Sequence, residues 1–121
     1  MAPLPIDPYA AYGRAQGSAL SLRQADCLAL TGAANLLAEA CRSSSRPHFE
    51  AALKRNQRLW TQIQRLVSAP DHALAVQVRA DLLSLAGFVD RQTLKALLSG
   101  DVADIRPLIE INREVAAGLT E

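Results

Sequence analysis

The sequence predicts an all-α fold, a compact bundle of four principal helices preceded by a short N-terminal helix. Half of the 121 residues are hydrophobic, and alanine and leucine dominate them while only 4% of the chain is aromatic. That composition favours helices over strands. Apolar residues recur at helical spacing through most of the chain, and no alternating strand pattern or hairpin turn appears. The length fits a single domain, residues 1–121.

The first helix is predicted from its capping residues. Asp7 is a good N-cap, and Pro8 occupies the first helical position. The helix carries Tyr9 and Tyr12 and ends at Gly17. So short a helix does not persist alone in water, and we expect it to dock on another part of the protein.

A longer helix is predicted to begin at Ser21 and to reach about Cys41. Gln24 follows Ser21 by three residues and completes a capping box. A serine-rich loop then ends it before Pro47. The predicted buried face of this helix consists of small and medium apolar residues: Ala25, Leu28, Ala29, Leu36, Leu37 and Ala40.

The third element is predicted from about Pro47 to Ser68. Its apolar residues follow a regular helical stripe, and Asn56 lies in the middle of it. The other members of the stripe are Phe49, Ala52, Leu53, Leu59, Trp60, Ile63, Leu66 and Val67.

The fourth element is predicted over about residues 73–98, with Asp71 as its cap and Gly100 after its end. Gly87 and Asp90 lie close enough together to kink or split it near residues 87–91. Arg79 interrupts its apolar side, much as Asn56 does in the third element. The apolar residues assigned to its buried side are Leu74, Val78, Leu82, Leu85, Ala86, Val89, Leu94 and Leu97.

The last helix is predicted to start near Asp104, with Pro107 in its first turn. Asn112 lies inside its apolar face, and Gly118 marks its end. The apolar members of that face are Ile105, Leu108, Ile109, Val115, Ala116 and Leu119.

Motifs of catalysis, metal binding and membrane insertion are missing from the sequence. It has no glycine-rich phosphate loop, no paired histidines at metal spacing and no Cys-x-x-Cys. Cys27 and Cys41 lie on one predicted helix, about 21 Å apart, which is too far for a disulfide. We therefore expect no enzyme, no metal and no cofactor. With no long apolar run and no secretory signal, we expect no membrane association and a cytoplasmic location.

Polar residues within apolar stripes are the most informative feature of the sequence. Asn56, Arg79 and Asn112 each interrupt such a face, and a buried amide without partners loses about 1 to 3 kcal/mol. One interpretation is that they bond to one another or to helix ends and fix the helix register. The other is that they line a groove and bind a partner's backbone. Trp60, the only tryptophan, is either a core anchor or an interface residue.

The charge of the chain is unevenly distributed although its net value is only +1. Residues 42–67 contain six basic residues against Glu50 alone. The third helix presents Lys54, Arg55, Arg58 and Arg65 mainly away from its apolar stripe. This basic face is either simply solvated or contacts the phosphates of a nucleic acid, although interleaved aromatics for base stacking are missing.

Five ordered pieces of sequence, from Tyr9 to Leu119, resemble the FlaF family of small flagellar regulators found mainly in alphaproteobacteria. The pieces are Tyr9-Ala10-Ala11-Tyr12 with Ala15-Gln16, Asn56 with Leu59-Trp60-Thr61, Arg79 with Leu82-Leu83-Ser84-Leu85-Ala86, Val89-Asp90-Arg91-Gln92-Thr93-Leu94, and Leu108-Ile109-Glu110-Ile111-Asn112-Arg113 with Gly118-Leu119.

The resemblance implies a role in producing flagellin, the subunit of the flagellar filament. FlaF-like proteins act positively in flagellin production, opposite FlbT-like proteins, and are associated with flagellin itself as a secretion chaperone would be. Flagellin's terminal amphipathic helices stay unpaired until assembly, and a helical bundle can offer them an apolar groove. We expect that groove to include Tyr9, Tyr12, Trp60, Arg79, Asn112 and Arg113.

Two alternatives remain open for the partner. The first is direct binding of the flagellin message through the basic helix 47–68, using Lys54, Arg55, Arg58 and Arg65. The second is an adaptor role toward an FlbT-like regulator or the flagellar export apparatus. The net charge of only +1 and the shortage of aromatic residues argue against message binding. The adaptor would use the same kind of surface as flagellin binding, so the sequence does not separate those two.

Overall fold

The computed structural model describes residues 26–69 and 75–119, and all the regular structure in these ranges is helical. The described part of α1 covers residues 26–42. It is followed by α2 (Arg46–Ser68), α3 (Val76–Ser99), a 3₁₀ turn (Val102–Asp104) and α4 (Arg106–Leu119). The all-α prediction is confirmed. The predicted N-terminal helix with Tyr9 and Tyr12, and the predicted start of α1 at Ser21, lie outside the described residues.

The buried face of α1 differs from the predicted one. Leu37 and Ala40 are buried as expected, but Leu28 is 75% exposed and Ala29 is also exposed. The residues that face the core are Leu30, Ala33, Ala34, Leu37 and Ala40. Because α1 carries alanine or leucine on several sides, its sequence does not single out one face, and the packing of its neighbours decides.

Helix α2 follows its sequence pattern closely. Ser45 is its N-cap and accepts a hydrogen bond from the backbone N–H of His48 at 3.3 Å, while Pro47 occupies the first turn. Seven of the nine stripe residues are buried, Leu59 is half-buried and Leu66 remains 40% exposed. A single clear apolar stripe is enough to orient this helix.

Helix α3 is continuous through Gly87 and Asp90, so the anticipated kink or split does not occur. Its N-cap is Ala75, without a side-chain capping bond, and not Asp71, which lies outside the described residues. Its core face also differs from the predicted one, because Val78 and Leu94 are exposed. The buried residues are Leu82, Ala86, Val89, Thr93 and Ala96.

Gly100 ends α3 as predicted, in the left-handed conformation with a φ of 66°. A side chain there would also meet Arg46, whose Nη1 lies 2.5 Å from the position of a Cβ. Arg46 donates from Nη2 to the carbonyl of Leu97 at 2.6 Å and from Nε to Glu50 at 2.7 Å. The hydrogen bond from Arg46 lowers the pKa of Glu50. The start of α2 is thereby tied to the end of α3.

A 3₁₀ turn precedes α4, which begins at Arg106, close to the predicted start near Asp104 and with Pro107 in its first turn as predicted. Asp101 caps this turn by accepting from the backbone N–H of Ala103 at 2.9 Å. Asp104 accepts from Ser99 and pairs with Lys95. Ile105, between the turn and α4, is fully buried, and α4 then buries Leu108, Ile109, Asn112 and Ala116 against the other helices.

The core is built by all four helices, and Trp60, Leu30, Leu37 and Leu53 are among its largest fully buried side chains. Among α2, α3, the 3₁₀ turn and α4, the most extensive backbone contacts are those between α2 and α3. Among the described residues, no helix has both the length and the apolarity that crossing a bilayer requires.

Candidate functional site

A chain of buried polar side chains connects α2 with α4. Trp60 donates from Nε1 to Oδ1 of Asn112 at 2.8 Å, and Asn112 donates from Nδ2 to Oδ1 of Asn56 at 2.7 Å. All three residues are fully buried. The two asparagines that interrupt the apolar stripes of α2 and α4 therefore bond to each other, and the tryptophan extends the chain to a third member.

The chain also reaches α1 but leaves one donor unused. Asn112 Nδ2 makes a second, longer contact of 3.4 Å to the carbonyl of Leu30 in α1. Asn56 Nδ2 has no hydrogen-bond partner among the described residues. Because shifting either helix by one residue would leave further buried polar atoms unpaired, the network fixes the register of α4 against α1 and α2.

Arg79 bonds to the end of a neighbouring helix. Its Nε donates to the carbonyl of Val67 at 2.8 Å and its Nη2 to the carbonyl of Ala69 at 2.9 Å. These carbonyls belong to the last turn and C-cap of α2, where oxygens lack partners within the helix. Arg79, which is half-buried, thus holds the start of α3 against the end of α2.

The six residues predicted for a partner groove fall into three groups. Trp60 and Asn112 are brought together, but in the core. Arg79 is half-buried at the α2–α3 junction, and Arg113 is exposed on α4. Tyr9 and Tyr12 lie outside the described residues. A partner-binding role for any of them stays a prediction, and only Arg79 and Arg113 offer accessible atoms within the described part of the chain.

The predicted basic face of α2 is exposed at all four positions, Lys54, Arg55, Arg58 and Arg65. The three arginines line a groove of about 690 Å³ between α1 and α2, whereas Lys54 does not. The other groove residues are small, amide-bearing or half-buried: Ala29, Ala33, Gln57, Leu59, Thr61 and Gln62.

Sequence reasoning missed an apolar stripe on the outer side of α3. Val76 is 80% exposed, Leu98 79% and Leu94 58%. Leu94 follows Val76 by 18 residues, which is about five turns, and Leu98 follows Leu94 by four, so the three side chains lie along one side of the helix. The stripe, called here the α3 stripe, consists of Val76, Ala80, Leu83, Gly87, Leu94 and Leu98. The signal was present, because the apolar residues of α3 occupy two faces of the helix rather than one.

The two cysteines of α1 are both free thiols. Cys27 donates weakly from Sγ to the carbonyl of Ala116 at 3.6 Å. Burial raises the pKa of the Cys41 thiol, although Arg106 and Arg42 act in the opposite direction. Within residues 26–69 and 75–119, no three metal-ligating side chains gather in one place.

The described residues define a class of all-α protein in which a buried Trp–Asn–Asn chain sets the helix register and an apolar stripe remains on the surface. The family model for the flagellar protein FlaF matches residues 8–119, so the chain belongs to the FlaF family and is a flagellar protein. The resemblance noted in the sequence is thereby confirmed over nearly the whole chain. No curated protein and no solved structure matches it.

Proposed function

We propose that this protein is a cytoplasmic, non-enzymatic regulator of flagellar biosynthesis that binds flagellin and supports its production and secretion for filament assembly. The observation that carries this proposal is the α3 stripe. Membership of the FlaF family supports the flagellar context. The step to flagellin depends on the kind of ligand that the stripe can bind.

The α3 stripe has the dimensions of a helix-binding surface. From Val76 to Leu98 it extends over 22 residue steps, or about 33 Å at the rise of an α-helix. The stripe is most open at its ends, at Val76, Leu94 and Leu98. In its middle, Ala80 is small and exposed, whereas a guanidinium nitrogen of Arg91 lies 3.4 Å from the position of a Cβ on Gly87. Apolar surface of this kind is characteristic of protein–protein contact sites.

An amphipathic helix is the ligand that such a surface binds best, because its apolar face repeats at the same spacing. Flagellin monomers have unpaired amphipathic terminal helices before assembly. A partner that covers the apolar faces of these helices would keep the subunit from associating early. Flagellin is therefore the proposed ligand, because it is a flagellar protein and because it offers the amphipathic helices that the stripe would bind.

One alternative is supported by a separate observation. The exposed arginines of α2 could bind the phosphates of the flagellin message, which would make the protein a direct post-transcriptional regulator. Among the described residues, however, no aromatic side chain lines the groove beside these arginines, and stacking platforms are the usual companions of phosphate contacts in single-strand binding. An adaptor that binds an FlbT-like protein or the export apparatus would use the α3 stripe in the same way as flagellin.

The test is calorimetric titration of flagellin monomer into this protein, with the flagellin leader RNA as a parallel titrant. We expect flagellin to bind with a Kd of about 1 μM or tighter and RNA to give no signal at physiological salt. The double variant Leu94→Lys/Leu98→Lys should bind flagellin about 100-fold more weakly, because two leucines lose their contact with the ligand.

Leu28→Lys on α1 is the matched control, since Leu28 is as exposed as Leu98 but lies on another helix. All three substitutions replace exposed side chains, so thermal stability should change by less than about 0.5 kcal/mol. Unchanged flagellin affinity in the double variant would remove the stripe from the site. Salt-sensitive RNA binding without any flagellin signal would replace the proposal with the message-binding alternative.

A further inference from the structure

The groove between α1 and α2 combines a basic wall with a floor of small residues. Arg55, Arg58 and Arg65 belong to one side of α2, at spacings of three and seven residues. Ala29 and Ala33 of α1 lie one turn apart on the opposite side. The groove belongs to different helices from the α3 stripe, so a ligand bound there would occupy a second surface.

The three arginines of the groove have no carboxylate partner within the described part of the chain. The ion pairs found there are Arg46 with Glu50 and Lys95 with Asp104. Glu50 is also the only acidic residue of α2. A row of unpaired guanidinium groups attracts a ligand that supplies several negative charges, and each guanidinium matches a carboxylate with two parallel hydrogen bonds.

The small residues on the floor of the groove favour a helix among the possible acidic ligands. Alanine at positions 29 and 33 leaves room for the backbone of a helix, and half-buried Leu59 offers apolar contact beside it. Arg55 and Arg65 are ten residues apart, or about 15 Å along α2. A helix with carboxylates on successive turns of one face and small apolar residues beside them would contact the arginines and the alanines at the same time.

Other occupants fit the groove less well. A single-stranded nucleic acid would find phosphate contacts, but the lining residues that the structure describes include no aromatic side chain, and the nearby Trp60 is fully buried. The protein's own first 25 residues contain Asp7 as their only acidic residue against Arg14 and Arg23, so they do not have the charge to neutralise three arginines. Charge complementarity therefore favours an external protein ligand.

We propose that the α1–α2 groove docks an acidic amphipathic helix of a partner protein through Arg55, Arg58 and Arg65. This goes beyond the proposed flagellin-binding function, since it assigns a second ligand to a second surface. The protein would then bring two proteins together, one at each surface.

The probe is a fluorescein-labelled helical peptide of about 18 residues, capped at both ends, with glutamate on successive turns of one face and alanine beside it. Fluorescence anisotropy with the full-length protein should show saturable binding that weakens as salt is raised. The triple variant Arg55→Glu/Arg58→Glu/Arg65→Glu should bind about 10- to 100-fold more weakly. Arg58→Glu alone should give an intermediate loss.

Lys54→Glu is the matched control, because it makes the same charge change on the same helix outside the groove. Because Lys54 precedes Arg58 by one helical turn, Lys54→Glu should lose clearly less affinity than Arg58→Glu, but some. Leu94→Lys/Leu98→Lys should bind the peptide like the unmodified protein, which keeps this test independent of flagellin binding. Circular dichroism should show equal helicity in all variants.

Four results would overturn the proposal. The first is no binding of the peptide, and the second is an equal loss in Lys54→Glu and in the groove variants. The third is tighter binding of a single-stranded RNA than of the peptide with the same dependence on the arginines, which would assign the groove to nucleic acid. The fourth is a dimer in light scattering that the triple variant converts to a monomer, which would make a second copy of this chain the occupant.

Discussion

Two regions of the molecule reverse the usual arrangement of polar and apolar side chains. Polar groups are buried between α2 and α4, whereas apolar side chains are exposed on the outer side of α3. Between α2 and α4, fully buried Trp60, Asn56 and Asn112 place polar atoms in the interior. On α3, Leu94 and Leu98 place apolar side chains in solvent. The polar interior restricts how the helices can pair, because each alternative register leaves amides unbonded. Leu94 and Leu98 are not among the residues that pack into or against the core, which agrees with the docking role proposed for them.

Removing Trp60 is expected to have the largest effect on folding. Trp60→Ala should lower the free energy of unfolding by about 3 to 5 kcal/mol, because a fully buried indole leaves a cavity and Asn112 loses a donor. Urea denaturation followed by far-UV circular dichroism measures this. Trp60→Phe keeps most of the volume and should cost about 1 to 3 kcal/mol. If Trp60→Ala keeps normal stability but loses flagellin affinity, the indole belongs to a binding surface and the comparison fails.

The two asparagines are expected to differ although both are fully buried. Asn112→Leu removes the acceptor of Trp60 and the donor to Asn56, so it should cost about 2 to 5 kcal/mol. Asn56→Leu removes an amide whose Nδ2 has no partner among the described residues, but it also takes from Asn112 Nδ2 its acceptor at 2.7 Å and leaves that donor the longer contact to Leu30. Its cost should be about 1 to 2 kcal/mol, less than that of Asn112→Leu, because the bond from Trp60 is kept.

Because the same substitution is made at both positions, the change in side-chain volume is the same and cancels in the comparison. The midpoints and slopes of urea denaturation curves give the two free energies. Equal losses at the two positions would show that burial alone, and not the number of bonds, sets the cost of removing a polar group here.

The sequence predicted α2 and α4 well because each has one clear apolar face. It predicted α1 and α3 less well for a shared physical reason. Leu28 on α1 and Leu94 on α3 fit an apolar pattern, yet both are exposed, since these helices carry apolar residues on more than one side. Periodicity then predicts a helix but does not decide which side faces the core. That choice depends on where neighbouring helices lie.

The sequence likewise predicted the members of the polar network but not how they are bonded. Asn56 and Asn112 were conspicuous because each interrupts a stripe. Their contact joins residues 56 positions apart, which no local pattern specifies.

The groove between α1 and α2 was likewise predicted only in part. The arginines of α2 were visible as a basic face, whereas the small residues of α1 opposite them became apparent only in the folded structure.

Arg79 and Arg113 offer the smallest and sharpest test, because both were predicted to bind the partner and their surroundings differ. Arg79→Met should cost about 1 to 3 kcal/mol, since the carbonyls of Val67 and Ala69 lose charged donors, and partial access of water limits the loss. Arg113→Met replaces an exposed side chain and should change stability by less than about 0.5 kcal/mol. Thermal denaturation by circular dichroism measures both. Flagellin titration then separates structure from binding: reduced affinity in Arg113→Met at normal stability would place α4 at the partner surface, whereas unchanged affinity would leave α3 alone in that role.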